Sequence, residues 1–261
     1  MLRRRLIAAA ALALPWPLAA QRRPARDEPL RLGADSALAG CGFVQTLAAA
    51  FGRESGLPIR WIAAPTSAML EALEHGEIDA GLGLAPDAEI RLEQQGLVHD
   101  RRAIARTGFV LVGPAARGVL PDGVAGNRDA ARALALLAAG SVPFLGRNDG
   151  SGAHWLEQAL WRAAAVAPAA PWWRGLAAGA DALGAAREQQ ACVIVDRPAW
   201  QAGQRRGLTA LVTQDARLTV PVHLMRSFHA DHPAAGLFAR WVSGPRGRRV
   251  VDARTALSPP G

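Results

Sequence analysis

Val142-Pro143-Phe144-Leu145-Gly146-Arg147-Asn148-Asp149-Gly150-Ser151-Gly152-Ala153-His154-Trp155 reads as a short apolar strand, a glycine-punctuated turn carrying one arginine, and the start of a helix. The first amides of a helix lack intrahelical partners, so they present N–H groups and the positive end of the helix dipole to whatever precedes them. Arg147 adds a permanent charge with forked donors, and Ser151 a hydroxyl. Gly150 and Gly152 let the backbone come close to a neighbour or a guest. The stretch is therefore a candidate anion trap. Ser, Asp and Asn in this position also serve as ordinary helix caps, and that alternative stays open for Ser151.

On either side of this stretch, strands and helices alternate. Strands are expected over Leu30–Gly33, Pro58–Ala63, Ile78–Leu84, Gly108–Pro114, Cys192–Val195 and Leu218–Met225. Helices are expected over Phe43–Gly52, Thr66–His75, near Arg128–Ala139, a long one carrying Trp155, Leu156, Leu160 and Trp161, near Ala180–Gln189, and over Ala234–Val242 and Gly244–Ala256. Gly126-Asn127-Arg128-Asp129 reads as a helix cap, and Trp155, Trp161, Trp172 and Trp173 as packing residues. Such alternation argues for an α/β protein with a mostly parallel sheet covered by helices. The candidate crossings between two lobes are Gly113-Pro114 and the segment near Ala210–Gln214.

The N-terminus suggests where the protein works. Arg3-Arg4-Arg5 precede an apolar run, Leu6–Leu18, that ends in small residues before Gln21-Arg22-Arg23-Pro24, the pattern of a secretory signal peptide. Export is expected, with residues 1–20 as the leader, 21–29 as a linker and a periplasmic mature chain. No later segment reaches about 18 uninterrupted apolar residues, the length a membrane span needs. The formal charge of +8 includes the three leader arginines and falls to +5 without them. The basic residues are all arginine, and they lie among acids with no aromatic-interleaved stripe, so no nucleic-acid partner is expected. Cys41 and Cys192 are the only cysteines; they read as buried thiols, with pairing open in an oxidising compartment.

Catalytic chemistry finds little support. Gly150-Ser151-Gly152 lacks the spacing of a nucleophile elbow, and nothing places His154, His223 or His229 as its base. His229-Ala230-Asp231-His232 reads as exposed loop histidines rather than a zinc site. No catalytic residue, cofactor or metal is expected.

Arg147-Asn148-Asp149-Gly150-Ser151-Gly152-Ala153-His154 resembles the Arg-Gly-Asp-x-Ser-Gly-Thr-His signature of the solute-binding proteins of tungstate ABC transporters, the TupA type. Gly76-Glu77-Ile78-Asp79-Ala80, Ala85-Pro86, the Gly108–Pro114 run and Val195-Asp196-Arg197 match further elements of that family in the same order. The resemblance implies a two-lobed class II periplasmic binding protein fold, with lobe 1 from residues 30–113 and 214–261 and lobe 2 from 114–213. It also implies a cleft between the lobes that closes on tungstate, molybdate or another oxyanion, and an ABC permease as membrane partner. Carried over by position, Arg147, Ser151 and Gly152 form one wall of the site and Ser36, Thr66 and Ser67 the other. Thr66 and Ser67 can equally be ordinary helix caps. The other function class open to the fold is a sensing module that reports ligand to a membrane partner. Departures fall on the site: the family's Thr-Thr-Thr-Ser run is Ala34-Asp35-Ser36-Ala37-Leu38 here, its signature threonine is Ala153, and Asp35 would repel an anion if it faced the cleft.

Overall fold

A computed structural model of the chain describes residues 28–116, 118–177, 179–253 and 257–258. The expected leader and residues 21–27 of the linker lie outside the described residues. The chain opens with β1 (Leu30–Asp35), α1 (Ser36–Gly40), α2 (Phe43–Ser55), β2 (Ile59–Ala64), α3 (Thr66–Glu74), β3 (Ala80–Gly83), α4 (Pro86–Gln94) and the long strand β4 (Val98–Pro114). There follow α5 (Ala130–Ala139), β5 (Phe144–Gly146), α6 (Gly152–Ala163), β6 (Trp173–Gly175), α7 (Ala182–Glu188), β7 (Val193–Asp196), α8 (Arg197–Ala202) and β8 (Leu208–Val212). The closing elements are β9 (Thr219–Ser227), α9 (Pro233–Ser243), α10 (Pro245–Asp252) and β10 (Leu257–Ser258).

β4 joins the two halves of the molecule. Its residues from Val98 to Gly108 pair with β9, and those from Phe109 onward pair with β7 and β8. The first half has the strand order β10-β4-β9-β3-β1-β2. In the second half β5 pairs with β6 and is tied to β7 through the Phe144–Cys192 bridge. The sheet is mixed, which corrects the expectation of a mostly parallel one. β1/β2, β1/β3 and β5/β6 are parallel, whereas every pairing made by β4 and β9 is antiparallel. The reason is topological: β4 and the return strand β9 run alongside each other rather than through helical crossovers.

The apolar positions explain why the elements pack. Leu30, Leu32 and Ala34 of β1 are buried against Phe43, Val44, Leu47 and Phe51 of α2, and Phe51 meets the edge of Phe238 on α9 at 5.3 Å. In the second half Phe144 of β5 and Trp161 of α6 stack edge to face at 5.1 Å under Trp172. Burial of such side chains contributes about 1.5–3 kcal/mol each. Asp129 accepts from the Arg132 amide at 2.9 Å and caps α5. His232, expected to be an exposed loop residue, is buried: its Nδ1 accepts from the Ala234 amide and caps α9. Cys41 is only half-buried and its thiol donates to the Leu38 carbonyl, whereas burial pushes the Cys192 thiol up to about 12.

Candidate functional site

Three helices begin where the two halves meet, each following a strand or a strand-ending loop. β1 ends at Asp35, which caps α1; the turn after β5 ends at Ser151, which caps α6; β7 ends at Asp196, which caps α8. The carboxyl ends of strands in an open α/β sheet are where ligand crevices form. Here they enclose a cavity of about 350 Å³ lined by Asp35, Ser36, Phe109, Arg147, Ser151 and Asp196 among others.

The structure brings Ser36, Arg147 and Ser151 together at this cavity. Gly152, Thr66 and Ser67 lie beside it, and Gly152 and Ser67 bond across the halves. The Gly152 amide and the Thr66 hydroxyl both donate to Asp35 Oδ2, at 3.0 and 2.6 Å. The Ser67 amide and hydroxyl both donate to the Gly150 carbonyl, at 3.0 and 3.2 Å, and Trp155 Nε1 donates to Ser67 Oγ. The two glycines have steric work to do. Gly150 takes φ +69° with Ser67 Oγ 2.8 Å from where a Cβ would lie, and a Cβ on Gly152 would sit 2.5 Å from Leu84 Cβ across the interface. Ser151 Oγ accepts from the His154 amide at 3.3 Å, so the cap reading and the cavity-lining reading hold for the same residue.

Arg147 is held from several sides. Its backbone amide donates to Glu157 Oε2 at 2.7 Å, and its carbonyl meets His154 Nδ1. Its Nε and Nη2 donate to Asp149 Oδ2 at 3.1 and 2.8 Å, while Nη1 makes no hydrogen bond among the described residues. Glu157 was missed by sequence reasoning. It is 1% exposed and also accepts from the indole N–H groups of Trp161 and Trp173, and burial pushes its carboxyl above the ordinary range. The readable signal was an acid four residues before Trp161, on the face of the helix that carries its buried residues.

Charge in the cavity differs from a simple anion trap. Asp35 is fully buried and accepts from the Ala37 amide at 2.9 Å through Oδ1, besides the two donors on Oδ2. Burial raises the Asp196 carboxyl above its usual range despite the Ala199 amide and Arg147. For Asp149 burial is the largest influence and acts upward, yet the hydrogen bonds from Ser151 and the Arg147 charge outweigh it and hold the carboxyl below its ordinary value. A depressed carboxyl stabilises the fold fully above the unfolded pKa of about 4 and loses that contribution as pH falls through the lower folded value. Asp149→Asn is thus expected to be less stable than the parent at neutral pH, with the gap closing below about pH 4 in urea melts. A gap that stays constant down to strong acid would show that the Arg147–Asp149 pair contributes nothing.

Among the described residues no helix is long and apolar enough to cross a membrane, and no group of three or more His, Cys, Asp or Glu side chains could hold a metal. A family model described as a PBP superfamily domain matches residues 19–231. The tungstate-binding protein TupA of Peptoclostridium acidaminophilum is 26% identical over 222 residues, covering 80% of this chain and 76% of that protein. The structure of the tungstate ABC transporter from Geobacter sulfurreducens aligns with a TM-score of 0.74 at 26% identity, over 87% of this chain and 98% of that one. The tungstate binding protein TupA from Desulfovibrio alaskensis G20 aligns with a TM-score of 0.73 at 25% identity, over 90% and 100% of the two chains. Two of these relatives are named as tungstate-binding proteins and one as a tungstate ABC transporter, and the fold of this chain is the two-lobed periplasmic binding protein type. The chain belongs to the PBP superfamily domain family.

Proposed function

We propose that this chain is an extracytoplasmic solute-binding protein that captures a small anion of the tungstate type in the cavity between its lobes and hands it to the permease of an ABC transporter, with no catalytic turnover. The observation that carries the reading is the convergence of Ser36, Arg147 and Ser151 on one cavity at the carboxyl ends of strands from both halves. Hydroxyls and a guanidinium replace the water shell of an anion with fixed dipoles, and the reduced access of water in the cavity strengthens each charge-assisted bond. The relatives that bind tungstate support the same reading. Lobe 1 as residues 30–113 with 214–261, and lobe 2 as 114–213, belong to this proposal. The change of partners within β4 supports moving the first boundary to between Gly108 and Phe109. The guest is then held by contacts from both lobes at once.

The test is a thermal-shift titration of the protein with tungstate, molybdate, sulfate, phosphate and acetate in turn. A ligand specific for the native state adds stability as RT ln(1 + [L]/Kd), about 2.7 kcal/mol at a hundredfold excess over Kd. Arg147→Ala is expected to abolish that gain while leaving far-UV circular dichroism unchanged. Full retention of the shift in the variant, or no shift with any anion in the parent, overturns the reading.

A further inference from the structure

The wall of the cleft already contains an anion. Three donors converge on the Asp35 carboxylate: the Ala37 amide at 2.9 Å, the Thr66 hydroxyl at 2.6 Å and the Gly152 amide at 3.0 Å. Two belong to the first half, and the third opens α6 in the second half. A buried carboxylate so satisfied takes up donors that a small oxyanion would otherwise use, and it carries the same sign of charge. Two further carboxylates stand nearby, Asp196 in the cavity wall and Asp149 on the Arg147 guanidinium. We infer that Asp35 is a built-in anion that sets how tightly the cleft holds its guest: it occupies the Thr66, Gly152 and Ala37 donors, ties the two lobes through the Gly152 bond and weakens the binding of doubly charged tetraoxyanions.

The latch follows from the bonds themselves. The Gly152 amide reaches Asp35 across the interface, beside the Ser67 bonds to the Gly150 carbonyl and the close approach of Gly152 to Leu84. Closure that in an oxyanion binder would come from the guest is here supplied in part by a side chain. A dianion entering the cavity meets one arginine, already paired, and the Asp35 charge on donors it needs.

This inference rests on the proposed ligand cleft, and its test separates the two. Tungstate and sulfate are titrated calorimetrically into the parent protein, Asp35→Ser and Asp35→Asn. Serine is also a good helix N-cap, so the cap of α1 survives the substitution. Removing the charge and freeing the Thr66 and Gly152 donors is expected to tighten tungstate binding about 100-fold in Asp35→Ser. Asp35→Asn, which removes the charge but leaves an oxygen on the donors, is expected to gain about tenfold. Small-angle scattering gives the second readout: Asp35→Ser is expected to expand in anion-free buffer and contract with tungstate, while the parent stays compact in both. Affinity for tungstate unchanged or weaker in both variants, or an Asp35→Ser variant as compact as the parent in anion-free buffer, overturns the inference. If the parent binds tungstate through Arg147 and Asp35→Ser does no better, only this inference fails. If Asp35→Ser gains binding that the parent lacks for every anion tested, the inference stands and the anion-capture reading of the parent fails.

Discussion

Trp161→Ala is expected to lower the unfolding free energy by about 3–5 kcal/mol, the range for deleting a large buried aromatic side chain. Trp161 is 1% exposed, meets Phe144 edge to face at 5.1 Å and Trp172 at 5.7 Å, and lies on the same helix that carries Ser151 at its cap. Its truncation leaves a cavity that the rigid β5 and α6 cannot collapse around. It also removes the indole that donates to Glu157 Oε1 at 3.1 Å, leaving that buried carboxylate with less compensation. Because Glu157 Oε2 holds the Arg147 amide, the effect extends to the site. Urea unfolding of the parent and variant measures the first part. A loss under about 1 kcal/mol, the cost typical of surface and conservative changes, would mean that the lobe can repack around the missing ring.

The second large effect is expected at Glu89, on α4 in the first half of the molecule. Its buried carboxylate accepts from the Ala85 amide at 2.9 Å and from Arg101 Nε at 3.2 Å, and lies 2.5 Å from His223 Nδ1. Removing one partner from a buried charged network strands the others, so Glu89→Ala is expected to cost about 3–5 kcal/mol. Arg101 is only 15% exposed and cannot swing freely to water. Glu89→Gln keeps the oxygen for the Ala85 amide and loses the charge, so a smaller loss is expected. Equal losses for Gln and Ala in denaturant melts would show that charge, rather than the hydrogen bond to α4, sets the cost.

Much of the fold was legible because local patterns carry it. The run from β5 through the Arg147 turn into α6 combines an apolar strand, glycines and a capping serine, all of which act within a few residues. Long amphipathic helices such as α2 and α9 fell close to their expected bounds for the same reason. The first part of β4 did not announce itself. Val98-His99-Asp100-Arg101-Arg102-Ala103-Ile104 breaks the alternation of apolar and polar residues, and the register with β9 shifts between His99 and Arg102 and again between Ala103 and Ala105. A bulged strand loses the period of two that a sequence reader relies on. Helices α1 and α8, of five and six residues, are too short for a helical period to show.

The amino-acid sequence by itself determined most of the longer elements, the arginine and serine of the turn, and the loss of every hydroxyl but Ser36 from the run around Asp35, because those are properties of neighbouring residues. Only the tertiary structure decided what the donors of the site face. Asp35 is 31 residues from Thr66 and 117 from Gly152, and no local periodicity links such positions. The packing of β1, α3 and α6 brings them within hydrogen-bond distance, so an acid that looked merely misplaced in the chain becomes a bound anion in the fold. Asp149 sits on Arg147 within a single turn, two residues away, and the balance of these internal charges fixes how much of the cleft remains for a guest.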